Sequence, residues 1–318
     1  MKPKDRIVTF PRMGKNQTKV IKGFLESLDL NVMEPPKTTD KTVRIGAENC
    51  ANMACYPLKQ TLGNYIEAIE NGANTLLAYD TQGVCRFRQY NKLHEFTLTG
   101  LGYDFDMRVI NPKNILRELS DVSGKSKLKV MKEIWNNYKK LEDFDNENSS
   151  WSDDKPNIGI IGEIFCCVDE TANQGLESKI RKFGGNPYNT STTTDFMMNK
   201  IPFFSLYGLK NMFKEDKLKP YKEEAKKYMD DWRSGHAFEN IYNLLDMADR
   251  NVDGVVHVAP LSCMPETTIE PYVDEICSKE KIPLLRIAID ENSAEANLET
   301  RLETFVELIK IRGKNGKR

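Results

Sequence analysis

The stretch Gly254-Val255-Val256-His257-Val258, followed by Leu261-Ser262-Cys263-Met264-Pro265-Glu266, decides how the chain is read. A short apolar run bounded by turn residues is a buried strand of the kind parallel sheets use. Thr267 to Ser278 continues with helical spacing, and Pro265 stands where a helix begins. A strand hands over to a helix, and Cys263 sits at the junction. In an open α/β sheet such junctions lie at the carboxyl edge of the strands, where ligands bind.

Working outward, the same handover recurs twice. Cys55 lies in Ala54-Cys55-Tyr56-Pro57-Leu58-Lys59, and Cys85 in Gly83-Val84-Cys85-Arg86-Phe87-Arg88-Gln89-Tyr90. Pro57 and Pro265 each follow a cysteine by two positions, which places the thiol just ahead of a helix. Gly83 supplies a turn that backbone can approach closely. Thiolates at such places feel the positive end of a helix dipole, which lowers their pKa and favours metal ligation. Three of them point to a soft-metal site, above all an iron–sulfur cluster.

The rest of the chain supports an α/β fold. Arg6 to Phe10, Asn31 to Met33, Asn74 to Tyr79 and Phe105 to Ile110 read as strands, with Val43 to Ile45 as a further strand end. Gln17 to Leu28 and Pro57 to Asn71 have helical spacing. Asn114 to Leu141 is mostly helical, and Glu142 to Asp154, acidic and polar, reads as an exposed linker. A second strand–helix series opens with Ile158 to Ile161 and Gly162-Glu163. It continues with a helix from Asn173 to Phe183 and a helical insertion, Lys219 to Trp232 and Ala237 to Ala248. A strand from Pro283 to Ile289 follows. The closing helix, Leu298 to Ile311, carries Leu302, Phe305, Val306 and Ile309 on one face. Two domains are expected: residues 1–150, α/β with a helical linker, and 151–318, α/β with a helical insertion.

Composition sets limits. The chain has 318 residues, 39% hydrophobic and 29% charged, which fits a folded globular protein. Lys and Arg number 46 against 47 for Asp and Glu, so charge gives no reason to expect nucleic acid or an anionic membrane as partner. No apolar run approaches the ~20 residues of a membrane span, and the amino terminus lacks the apolar core of a signal peptide. The cytoplasm is the expected location. There the seven cysteines should be thiols, and no Cys-x-x-Cys suggests a redox pair or zinc ribbon. Phosphate-loop, dinucleotide and serine-hydrolase motifs are absent from the sequence.

Other groups carry weaker signals. Cys50, five positions before Cys55, is a candidate fourth ligand or an incidental loop thiol. Cys166 and Cys167 stand side by side in a strand-like run, which sends them to opposite faces and one of them to the core. Cys277, in a helix with Val273, reads as structural. His257 reads as an interior histidine, and His94 and His236 as exposed. Glu163 and Glu266, at strand ends, are helix caps or proton-transfer groups, with the cap favoured for Glu266. Lys59 and Arg86 beside the thiols read most simply as solvated charges.

The segments Ala54-Cys55-Tyr56-Pro57-Leu58-Lys59-Gln60-Thr61-Leu62-Gly63-Asn64, Gly83-Val84-Cys85-Arg86-Phe87 and Cys263-Met264-Pro265-Glu266 resemble the 2-hydroxyacyl-CoA dehydratase and benzoyl-CoA reductase superfamily. Most of all they resemble its CoA-substrate-specific activase-related (CoA protein activase) group. Gly162-Glu163-Ile164-Phe165 and the tail from Ile289 to Glu303 share the likeness, which runs from Arg6 to Ile311. The resemblance implies two Rossmann-like (flavodoxin-like) open-sheet domains with an iron–sulfur cluster in the cleft between them. Cys55, Cys85 and Cys263 would be its ligands. It implies a 4Fe-4S cluster, with the double-cubane type also found among relatives. It further implies an ASKHA-type ATPase activase or a dehydratase-like subunit as partner and a CoA thioester or other small molecule as substrate. A second copy of the chain is a further candidate partner, with monomer and dimer both left open by the sequence.

The reading is a component of ATP-coupled, low-potential electron transfer or reduction. One alternative is a non-catalytic scaffold or regulatory subunit whose thiols are structural or hold zinc. Another is a substrate-reducing enzyme with an open iron site. The chain is shorter than a typical dehydratase subunit and shows no identifiable CoA-binding element.

Overall fold

The computed structural model describes residues 2–80, 85–111, 113–148, 150–191, 217–230, 236–293 and 295–314. Gly83, Val84 and Trp232 of the sequence reading lie outside them. The chain divides into two compact units, with the boundary between Phe144 and Asp145.

The first unit runs β1 (Ile7–Thr9), α1 (Lys15–Glu26), β2 (Asn31–Val32), α2 (Asp40–Glu48), α3 (Tyr56–Glu70) and β3 (Thr75–Tyr79). A 3-10 turn (Arg86–Gln89) then leads to α4 (Tyr90–Gly100), β4 (Asp106–Ile110), α5 (Ile115–Ser123) and α6 (Lys127–Asn148). Its four strands are parallel, in the order β2-β1-β3-β4. Successive side chains of β3 point to opposite faces, and both faces are covered. Leu77 packs with Val8, Leu25, Leu119 and Ile134 on one side. Leu76 packs with Leu62, Tyr65 and Leu98 on the other.

The second unit repeats the plan: β5 (Asn157–Gly162), α7 (Ile164–Val168), α8 (Leu176–Lys182), β6 (Asn186–Asn189), α9 (Lys219–Ala225) and α10 (Ala237–Asp249). It ends with β7 (Gly254–Pro260), α11 (Met264–Lys279), β8 (Leu284–Ile289) and α12 (Glu295–Lys314). Its sheet is parallel with the order β6-β5-β7-β8. Ile161 and Val255 pack with Ile241, Leu244, Ile269 and Val273 on one face. Leu302, Phe305, Val306 and Ile309 of α12 are buried, and a Cβ on Gly254 would meet Phe305 and Ile309. Both units are therefore Rossmann-like open sheets. In each, the first strand sits inside the sheet, so connections leave it in opposite directions. The topological switch points therefore fall between β1 and β3 and between β5 and β7, and in open α/β sheets ligands bind at the carboxyl ends of such strands.

Three stretches differ from the sequence reading. Val43 to Ile45 lies in helix α2, not in a strand. Thr39 and Thr42 form a capping box at its start, and Thr42, Val43 and Gly46 make its buried stripe. That stripe fits α3 closely: a Cβ on Gly46 would stand 1.7 Å from Lys59 O, and one on Gly63 2.0 Å from Thr42 O. The acidic stretch after Leu141 continues α6 to Asn148, because Glu and Lys are good helix formers whatever their solubility. Cys166 and Cys167 lie in helix α7, and both are buried.

Candidate metal centre

Each of the three cysteines occupies the position just before a helix or 3-10 turn. Cys85 and Cys263 follow β3 and β7, whereas Cys55 follows α2, so the strand-to-helix handover expected there is a helix-to-helix one. Cys55 caps α3 (φ −71°, ψ 157°), Cys85 the 3-10 turn (φ −60°, ψ 130°) and Cys263 α11 (φ −66°, ψ 115°). This is the place normally held by Ser, Thr, Asp or Asn, whose oxygen accepts a hydrogen bond from the first turn. None of the three thiols does so. Local geometry brings their sulfurs to helix N-termini without using them as caps.

In the first unit, α3 begins with a buried run from Tyr56 to Ile66 that includes Lys59, Gln60, Thr61 and Asn64. The Asn64 carbonyl accepts from Arg12 N at 3.3 Å, in the loop after β1. Lys59, expected as a solvated charge, is buried and donates from Nζ to Asn52 O at 3.2 Å. Arg86 is exposed and donates to Met53 O at 3.3 Å. Cys55 Sγ lies 2.6 Å from Tyr90 Oη. Burial raises the Tyr90 phenol above its ordinary range, and the charges of Cys55 and Cys85 add to that. Both thiols therefore act on one phenol at the head of α4. Cys50 lies between α2 and α3 and donates weakly to Ala51 O at 3.6 Å.

One turn along α4 from Tyr90 is His94, buried rather than exposed. Its ring meets Tyr65 edge-on, with centroids 5.2 Å apart. The Thr61 hydroxyl donates to Pro57 O at 2.7 Å, so it accepts from His94 Nε2–H at 3.1 Å. That leaves Nδ1 as a buried lone pair without a hydrogen-bond partner among the described residues. Burial lowers its pKa to about 4, so the ring is neutral. Spacing carried the signal for this burial: Tyr90, His94 and Leu98 recur every four residues.

In the second unit, Cys263 is buried and follows Ser262, whose φ of +64° bends the chain into α11. Around the ends of β5 and β7 lies a buried polar network. Asn240 clips the backbone of Gly162 on both sides, accepting from Gly162 N at 3.1 Å and donating to Gly162 O at 3.0 Å. It also donates to the Glu266 carboxylate at 3.0 Å. His257 Nε2 lies 2.8 Å from the same carboxylate. Glu266 is thus a buried network member and not a helix cap, and His257 is an interior histidine. His236 is buried as well, 3.4 Å from Ser191 Oγ, rather than exposed.

Glu163 does cap its helix, accepting from Cys166 N at 2.9 Å. Burial raises its carboxyl to about 7 against the pull of the backbone N–H groups. Burial also pushes the Cys166 and Cys167 thiols well up, and Cys277 up to about 12. Those three remain protonated and inert. Cys277 packs with Val273 in the core.

Residues 196–309 match the family of the 2-hydroxyglutaryl-CoA dehydratase D-component. The match supports the resemblance to the 2-hydroxyacyl-CoA dehydratase superfamily. It spans Cys263, β7, α11 and β8 and lies beyond Cys55 and Cys85. No curated protein matches the chain. Among the described residues no helix is long and apolar enough to cross a membrane, and none gather as three or more His, Cys, Asp or Glu placed to hold a metal ion.

The donor set suits the iron–sulfur cluster that the superfamily implies. Cys55 and Cys85 are partly exposed thiols, the Cys55 sulfur lies beside the Tyr90 phenol, and Cys263 shares their backbone setting. Soft thiolates are the ligands such clusters take.

Proposed function

We propose that this chain is an iron–sulfur component of a 2-hydroxyacyl-CoA dehydratase-type system, with Cys55, Cys85 and Cys263 as the cluster ligands. The observation that carries the reading is the shared setting of these thiols: three helix-capping positions, three sulfurs not used as caps. The match to a dehydratase component across Cys263 supports it. When bound, a 4Fe-4S cluster supplies one-electron chemistry at low potential. The chain's own part is to hold thiolates where helix N-termini favour negative charge. An ASKHA-type ATPase activase is the proposed electron donor, and a CoA thioester or other small molecule the proposed acceptor. The cytoplasm, which keeps these thiols reduced, is the proposed location.

Anaerobic reconstitution of the full chain with iron and sulfide tests this. The expected result is stoichiometric iron and acid-labile sulfide with an EPR signal after reduction, lost in Cys55→Ser, Cys85→Ser and Cys263→Ser. Wild-type protein that stays free of iron would sink the proposal. Zinc without sulfide would replace it with a structural role for the thiols.

A further inference from the structure

We infer that Tyr90 is a positioning residue that tunes the cluster through a hydrogen bond from its phenol to the Cys55 sulfur. The inference rests on the reading of Cys55 as a cluster ligand. Tyr90 Oη and Cys55 Sγ are 2.6 Å apart, and only 3% of Tyr90 is exposed. A ligating cysteine is a thiolate and can only accept, whereas a phenol carries an O–H to donate. The hydrogen bond therefore runs from Tyr90 to Cys55.

The donor is held in place from several sides. Tyr90 opens α4, Phe87 packs against its ring at 5.3 Å, and His94 flanks it at 6.5 Å. A hydrogen bond to a ligating sulfur withdraws charge from the metal and stabilises the more negative, reduced state. It raises the reduction potential.

The test uses full-length protein reconstituted anaerobically, comparing wild type, Tyr90→Phe and a variant carrying 3-fluorotyrosine at position 90. The ring and its packing persist in all three, while donor strength rises from none through phenol to the more acidic fluorophenol. Iron and sulfide content is expected to be equal. The midpoint potential, followed by EPR-monitored titration, is expected to be most negative in Tyr90→Phe and least negative with 3-fluorotyrosine. Equal potentials in three iron-loaded proteins would overturn the tuning role and leave the cluster reading intact. Should Tyr90→Phe alone lose its cluster, wild type against 3-fluorotyrosine still decides. A wild-type protein that binds no iron overturns both.

Discussion

His94 is held neutral by burial, and its proton accounting sets a pH dependence for the first unit. Its pKa is about 4 when folded against 6.5 for a free histidine. As pH falls the unfolded chain takes up the proton first, so stability is full above 6.5 and is lost between 6.5 and 4. The loss is about 3 kcal/mol at ~1.4 kcal/mol per unit. Urea unfolding of His94→Gln should show this acid dependence flattened; an unchanged slope would refute the assignment. Glu163 has the opposite sign. Its carboxyl is raised to about 7 from 4.5, so its contribution is present below 4.5 and is lost as pH rises through 7. Cys55 and Cys263 were legible as helix starts because Cys-x-Pro marks one; Cys85 carries no such proline. The burial of His94 was legible in its spacing with Tyr90 and Leu98. That of Lys59 and Glu266 was not, because a polar residue on the buried face of a helix breaks the hydrophobic pattern.

Strand β5 turns into α7 through Gly162, and no other residue fits there. Its φ is +146°, and a Cβ would stand 1.8 Å from Val258 O on the neighbouring strand. Glu163 N donates to that same oxygen at 3.0 Å, so backing away would break the strand pairing. Gly162→Ala should cost about 3 kcal/mol or more in urea unfolding. Gly102→Ala is the contrast, with a φ of +83° in open space, and should cost only ~1–2 kcal/mol of backbone strain. Equal costs would show that the strand contact is not what fixes Gly162. At this scale the long helices and central strands were legible from apolar spacing. Helix α2 was not, because its capping box is Thr-x-x-Thr and because Val43-Arg44-Ile45 alternates like a strand while packing as a helix. Nor was β6, whose residues Asn186-Pro187-Tyr188-Asn189 lack an apolar run.

Across the whole molecule, two sheets repeat one strand order, and the proposed ligands come from both units. Iron binding should therefore fail as fully in Cys263→Ser as in Cys55→Ser. Cys277→Ala, in the core of the second unit, should keep its iron and lose about 1 kcal/mol of stability. Iron retention in Cys263→Ser would confine the ligands to the first unit. The repeated plan was legible in the alternation of strands and helices; the chain passes from one unit to the other within the continuous helix α6. The strand order also governs synthesis on the ribosome. Ile158 of β5 pairs with Gly254 of β7, far downstream. At ~5–20 residues per second that partner follows roughly 5–20 s later. Through that interval one edge of β5 on the nascent chain stays unpaired, and it is then that neighbouring chains on a crowded polysome can add to it.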